Sequence, residues 1–516
     1  MPDKVARTVC HPLFLVGESL LPLLFYLAYL RDIRLTGITN DYTGLAVAAA
    51  LLLTVFCLIL LFCPHATATL PTLFLVCATV LPCYDSAAFF MPMAPLALPV
   101  VACLAVHRLL YNPRKRAACA AVGVGGMRVP PSALTPSPLP AALSRPAALS
   151  RPAELLRPAG LSPLPLRRRL GPSFYGMLAV SAALLLGGVG HISPAEYFAP
   201  AALYSTLGGA IGLPLFYLWL LPEAEADRSG FARGLLRALL PAGLLCGGML
   251  FCALWFGYVL REGGAAVNLL SFRNNACTMM LFALPVPFFL ARSSARGAAL
   301  LPLLSFGMYG VMLGSGSRGG ALCGGLLLLL LCLTHAVQDV RRRRYGSLLL
   351  VVAAAAVFVF TMLALDARFS LLARLENFSF QAVAGETRGI LLRRAFERLP
   401  QTPLFGIGLG SLDNADVLMV KRGGINWYHT MVGQVVGSLG LLGCLCYGLQ
   451  LFLRARVLWR NRRADPDAVC CLGFCYLGLL LMTQVNPGEF CPVPYAMIAV
   501  WLFLAGEHVG QPCPAA

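Results

Sequence analysis

Residues 319–337 read GGALCGGLLLLLLCLTHAV, and Arg341 to Arg344 follow almost at once. The run holds no Asp, Glu, Lys or Arg. About twenty apolar residues in an α-helix cross the roughly 30 Å hydrocarbon core of a bilayer. A helix also satisfies every backbone group within one such segment. The next run, residues 345–365, reads YGSLLLVVAAAAVFVFTMLAL. Two such runs separated by four arginines predict a helical hairpin whose turn lies on the cytoplasmic side.

The same pattern extends in both directions. The chain has 516 residues, 59% hydrophobic and 12% charged, with a mean hydropathy of +0.77. A soluble domain carries about 25% charged residues. Apolar runs fall at about 12–30, 44–63, 70–90, 92–111, 173–190, 198–221, 235–260, 274–290, 299–313, 319–337, 345–365, 429–453, 468–486 and 491–506. The predicted fold is an all-α polytopic membrane protein with about 14 transmembrane helices and one large extracytoplasmic loop. The first run lacks a small-residue cleavage site and is read as a retained helix. Arg114-Lys115-Arg116, Arg341 to Arg344 and Arg454 to Arg463 mark the cytoplasmic side. With these three inside, the runs alternate and both termini are cytoplasmic, while Arg31 and Arg34 face outward. The organisation expected is a group of about four helices in 1–111 and a linker in 112–172. Core helices follow in 173–365, an extracytoplasmic loop in 366–428 and C-terminal helices in 429–516.

The formal charge is +18. Between Asn112 and Pro172 stand ten basic residues against Glu154 alone, which is half the excess. No aromatic residue interleaves them, so they do not read as a nucleic-acid surface. They read as a solvated cytoplasmic linker near anionic headgroups. Leu-Ser-Arg-Pro recurs at Leu143–Pro146 and Leu149–Pro152. Proline at that density opposes helix, leaving either a docking segment or a low-complexity expansion. The 19 cysteines sit mostly within apolar runs, where they act as small hydrophobes. Neither Cys444-Leu445-Cys446 nor Cys470-Cys471 has zinc-site spacing, so no metal and no cofactor is expected.

The chemistry-bearing residues gather on the outer side. The segment Asp366 to Tyr428 has eight Arg or Lys against six Asp or Glu, contrary to the positive-inside trend. Within it, Leu391, Leu392, Ala395, Phe396 and Leu399 share one helical face, which predicts a helix on the membrane surface ending at Pro400 and Pro403. Arg388 opens that helix. Arg393 and Arg394 are alternative anion ligands or simply its headgroup side. Gly406, Gly408 and Gly410 read as a tight turn returning the loop to the membrane, since no parallel strand precedes them as in a nucleotide-binding fold. His429 stands where the next run begins; of seven histidines, only it and His191 fall near the outer face. Neutral imidazole can take a proton near pH 7; the alternative is an interfacial histidine bonded to a carbonyl. Arg318 lies in Gly314-Ser315-Gly316-Ser317-Arg318-Gly319-Gly320. Its guanidinium suits a phosphate, and flanking glycines admit a ligand or a backbone. A snorkelling arginine is the plainer reading. Within the runs, Glu18, Gln434 and Gln450 are the mild polar exceptions, and that scarcity counts against an ion-driven transporter.

Ser317-Arg318-Gly319, Thr387-Arg388 before Pro403-x-x-Gly406-x-Gly408, and His429 before Gly437-x-x-Gly440-x-x-Gly443 resemble the bacterial O-antigen ligase and O-antigen polymerase family. The likeness covers roughly residues 300–455. Thr430 departs from the asparagine usual after the histidine. The resemblance implies a metal-independent glycosyltransferase that moves a glycan from undecaprenyl diphosphate to an acceptor hydroxyl on glycan, lipid or protein. It implies that Arg318 and Arg388 hold the diphosphate and that His429 activates the acceptor. A lipid-linked glycan exporter is the alternative class.

Overall fold

The computed structural model describes residues 8–9, 11–36, 42–63, 65–83, 94–111, 169–189, 203, 206–226, 228–259, 273–293, 300–369, 387–409, 428–485, 489 and 494–509. Residues 112–168 of the linker expected at 112–172, His191, Gly410 and most of the loop expected at 366–428 lie outside the described residues.

Helices account for every long element among the described residues, and no strand is present there. In chain order they are α1 (Pro12–Thr36), α2 (Thr43–Phe62), α3 (Leu70–Val80), α4 (Ala97–Leu110), α5 (Pro172–Leu186), α6 (Leu213–Ala226), α7 (Arg228–Val259) and α8 (Arg273–Ala283). There follow α9 (Val286–Ser293), α10 (Pro302–Gly314), α11 (Arg318–Arg341), α12 (Tyr345–Phe369), α13 (Thr387–Arg398), α14 (Met431–Asn461), α15 (Pro466–Met482) and α16 (Pro494–His508).

Helix α11 shows why these residues form a membrane helix rather than a soluble one. Leu322, Leu326, Leu329, Leu333, Val337 and Val340 are exposed at intervals of three or four, while Cys323, Leu327, Leu328 and Leu331 are buried opposite. The exposed stripe runs about 27 Å at 1.5 Å per residue. A stripe of that length is untenable in water and is what lipid covers. Seven helical segments are long and apolar enough to cross a membrane: Pro12–Arg31, Thr43–Phe62, Phe231–Trp255, Arg273–Arg292, Arg318–Arg341, Tyr345–Asp366 and Met431–Asn461. Six shorter apolar helices accompany them among the described residues. The chain is a helical membrane protein on these lengths and this surface.

The core sits around α16. Tyr495, Trp501, Phe503 and Leu504 are buried to within 1%. The Trp501 ring packs 5.2 Å from Phe74 of α3 and 5.8 Å from Phe231 of α7. At one end of the bundle, Tyr495 Oη donates to Asn275 O (2.6 Å), Ser317 Oγ to Asn274 Oδ1 (2.7 Å) and Met431 N to Thr483 O (2.8 Å). At the opposite end, Arg342 Nη1 reaches Asp467 Oδ2 (3.0 Å), Asn461 Nδ2 donates to Gly506 O (2.7 Å) and Ser173 N to Glu507 Oε1 (2.8 Å). Arg341 to Arg344 occupy this second end, where Arg343 (φ +54°) closes α11 and Arg344 N donates to Asp339 O (2.8 Å).

Arg454 departs from its expected place among headgroup arginines. It is buried inside the bundle with Glu489, paired to that carboxylate. Arg454 Nη1 and Glu489 Oε1 each bond the Tyr476 hydroxyl (2.7 Å), and Gln450 Nε2 donates to Glu489 Oε2 (3.1 Å). Buried polar side chains are therefore more numerous than Glu18, Gln434 and Gln450: His335, Asp339, Arg454, Glu489 and Glu507 join them. The physical reason is pairing, which lets charges enter a medium that excludes them singly.

Candidate functional site

Helix α13 forms as its periodicity predicts, over Thr387–Arg398. Its apolar face is covered by protein: Leu391 and Ala395 are fully buried, in one cluster with Ile407 and Tyr428. Leu392 and Leu399 are half-buried and Phe396 is exposed. The helix is thus docked on α14. Arg393 and Arg394 point away from that contact, exposed, and share Glu397 at 2.9 and 3.7 Å. Arg388 lies in the first turn of α13, within three residues of Leu391.

What the α13 unit docks against is a break in α14. Gly440 is non-helical there (φ 62°, ψ −158°). The turn after α13 supplies the missing partners. Ile407 N donates to Gly437 O (3.2 Å) and Gly408 N to Ser438 O (2.9 Å). Leu441 N donates to Pro403 O (2.9 Å) and Leu442 N to Leu404 O (3.0 Å). Both ends of the broken helix are satisfied by one short piece of backbone, as buried peptide groups require. The approach needs glycine on both sides. Gly406 has φ +70°, and a methyl there would stand 2.5 Å from Leu439 N and 2.6 Å from Ser438 O. A methyl at Gly440 would stand 2.7 Å from Leu404 O. A turn at 403–408, which contains Gly406 and Gly408, ends on the helix break.

His429 precedes this unit in an uncommon conformation. Its φ is +56°, and its side chain is exposed between buried Tyr428 and Thr430. A non-glycine residue there costs about 1–2 kcal/mol and persists where its surroundings impose it. They do so here. Tyr428 N donates to Gln434 Oε1 (3.1 Å), and the Tyr428 ring fills the space a Gly437 methyl would take. Thr430 Oγ1 caps α14 by accepting from Gly433 N (3.1 Å).

Arg318, exposed, opens α11 at the same end. Ser317 Oγ caps Gly320 N (3.1 Å) while donating to Asn274. The flanking glycines have neighbours within the protein. A methyl at Gly319 would stand 2.5 Å from Val485 Cγ2, and one at Gly320 would stand 2.6 Å from Cys277 Sγ. Because Gly319 meets Val485 and Met431 bonds Thr483, the starts of α11 and α14 flank one turn at 482–485. Arg318 and His429 are brought to that turn from its two sides. Ser317→Ala should lose about 1 kcal/mol as a cap, read as a small drop in thermal stability in detergent with unchanged membrane insertion.

Arg273 was not singled out from sequence. It opens α8, exposed, with Nη1 3.5 Å from where a Gly316 methyl would stand. The available signal was its place at the head of an apolar run, the same place Arg318 holds. Among the described residues no group of three His, Cys, Asp or Glu is arranged to hold a metal ion. Compared with known proteins, the chain matches no protein-family model and no curated protein.

Proposed function

We propose that the chain is a surface-polysaccharide assembly enzyme of the bacterial cytoplasmic membrane. It crosses the bilayer about 14 times with both termini cytoplasmic, and residues 366–428 face outward. It transfers a glycan from undecaprenyl diphosphate to an acceptor hydroxyl, as an O-antigen ligase or polymerase does. The observation that supports this reading is convergence. The starts of α11 and α14 flank the turn at 482–485, at the end of the bundle opposite Arg341 to Arg344, and α13 docks on α14; His429, in a strained backbone, stands just before α14.

The chemistry follows from the groups available. The bond from the sugar's anomeric carbon to the diphosphate breaks, and a bond to the acceptor oxygen forms. His429 takes the proton of the acceptor hydroxyl. Arg318 and Arg388 neutralise the charge that the departing diphosphate gains in the transition state. Displacement from the face opposite the leaving group requires His429 across the sugar from the arginines. Arg393 and Arg394, shared with Glu397, take the headgroup side.

The test is polymer transfer in a matched deletion strain carrying Arg318→Ala, Arg388→Ala or His429→Asn. Asparagine tolerates the left-handed backbone but is no general base. Normal abundance with transfer reduced by about 10²-fold or more, and lipid-linked glycan accumulating, supports the reading. Transfer at the wild-type rate in all three sinks it. A second reading, a lipid-linked glycan exporter, draws on one observation: the Arg454–Glu489 pair buried among the helices. Tyr476 and Gln450 hydrogen-bond the same pair, which accounts for it as a structural element.

A further inference from the structure

Arg454 turns into the bundle, but the arginines after it in the same run do not all follow. Arg456, Arg460 and Arg463 are exposed. Among the described residues no ion pair or side-chain hydrogen bond involves them. The acids next to them in sequence are already engaged. Asp465 caps α15 by accepting from Ala468 N (3.0 Å), and Asp467 pairs with Arg342. By helical spacing, Arg456 and Arg460 continue the face of α14 that carries Leu445, Leu449 and Phe452, and Arg463 follows just past the helix end. Those three apolar residues are 73%, 46% and 62% exposed, a stripe that acyl chains cover. The charge begins about 6 Å beyond Phe452, at 1.5 Å per residue. Trp459 stands between the arginines, exposed, and Arg462 holds it in place. The Arg462 guanidinium lies 3.7 Å from the indole ring centre, and its Nη1 donates to Trp459 O (2.6 Å). An indole at this level suits the boundary between acyl chains and headgroups. The face is also stiff. Behind it, Tyr447, Gln450, Arg454 and Val457 are buried, and Asn461 ties the helix end to Gly506 O. The three guanidiniums therefore keep their spacing on one side of one helix.

We propose that this face of α14 is a binding site for an anionic phospholipid of the cytoplasmic leaflet. The headgroup phosphate sits among Arg456, Arg460 and Arg463, and an acyl chain runs along Leu445, Leu449 and Phe452 beside Trp459. Charge selects the lipid. A zwitterionic headgroup brings a cation of its own among three arginines that have no acid to offset it, whereas an anionic headgroup neutralises them. The apolar stripe selects a lipid over a soluble phosphate, because the stripe and the arginines form one continuous surface. The site needs no part of the reaction proposed above.

The experiment uses the full chain in nonionic detergent, titrated with phosphatidylglycerol, phosphatidylcholine or the deacylated headgroup glycerophosphoglycerol, with the rise in melting temperature as the readout. Wild type should bind phosphatidylglycerol about tenfold or more tightly than phosphatidylcholine. The triple variant Arg456→Gln, Arg460→Gln, Arg463→Gln should bind the two lipids equally and, without lipid, melt as wild type does, because its altered side chains are exposed. Arg456→Gln alone should lose part of the preference. Trp459→Ala should weaken both lipids and keep their ratio. The control triple Arg341→Gln, Arg343→Gln, Arg344→Gln removes the same charge from the same end of the bundle and should keep the full preference. An unchanged preference in the first triple overturns the site, as does equal wild-type affinity for the two lipids. An equal loss in the control triple overturns it as well, since net charge alone would then account for the preference. Glycerophosphoglycerol binding as tightly as phosphatidylglycerol overturns the lipid assignment in favour of a soluble phosphate.

Discussion

Gly406→Ala should release the 403–408 turn from α14. The alanine would carry φ +70°, costing about 1–2 kcal/mol, and its methyl would meet the Ser438–Leu439 peptide at 2.5–2.6 Å. Relief requires the turn to back away, which stretches the four backbone hydrogen bonds across the break. Each is worth about 0.5–1.5 kcal/mol, so a total loss of about 3 kcal/mol or more is expected. Hydrogen exchange reads it directly: Ile407, Gly408, Leu441 and Leu442 amides should lose about 100-fold or more of protection. Gly440→Ala should do the same from the other partner. Gly448→Ala is the control within the same helix, because nothing stands within 4 Å of its added methyl. It should leave exchange unchanged or slow it slightly through better helix propensity. Equal protection in Gly406→Ala and wild type would mean that the turn does not hold the break.

That docking explains what the sequence could and could not disclose. Helix α13 was legible because Leu391 and Ala395 recur at helical spacing. The hairpin at Arg341–Arg344 was legible because four arginines separate two apolar runs. Pro403-x-x-Gly406-x-Gly408 and Gly437-x-x-Gly440-x-x-Gly443 stood out as two separate motifs, but their relation did not. They meet through backbone N–H and C=O groups, which every residue carries, so no side-chain pattern announces the partnership. Composition hid Arg454 in a similar way. It leads a run of arginines ending at Arg463, and its acid lies 35 residues away. Arg273 was obscured by the opposite circumstance, a lone cation at the edge of an apolar run, where snorkelling is the ordinary expectation.

The largest stability effect should come from separating Arg454 from Glu489. Both side chains are buried to 4% or less, and the pair is completed by Tyr476 and Gln450. Arg454 also lies over the Phe503 ring, 4.9 Å from its centroid. Removing one partner of such a pair costs about 3–5 kcal/mol, because the remaining charge is stranded without compensation. Glu489→Ala and Arg454→Ala should each reduce membrane abundance sharply and lower the apparent melting temperature in detergent. The joint replacement Arg454→Met with Glu489→Leu should recover a large part of both, since it removes the stranded charge together with its partner. Non-additivity is the decisive quantity. A double variant as damaged as the sum of its singles would show that the two residues act independently. A recovered double variant would have a further consequence for mechanism. An exporter that uses this pair should lose activity in the recovered protein, whereas a transferase working at the far end of α14 should keep it. The pair then separates the two readings through a residue set that lies outside the proposed catalytic site.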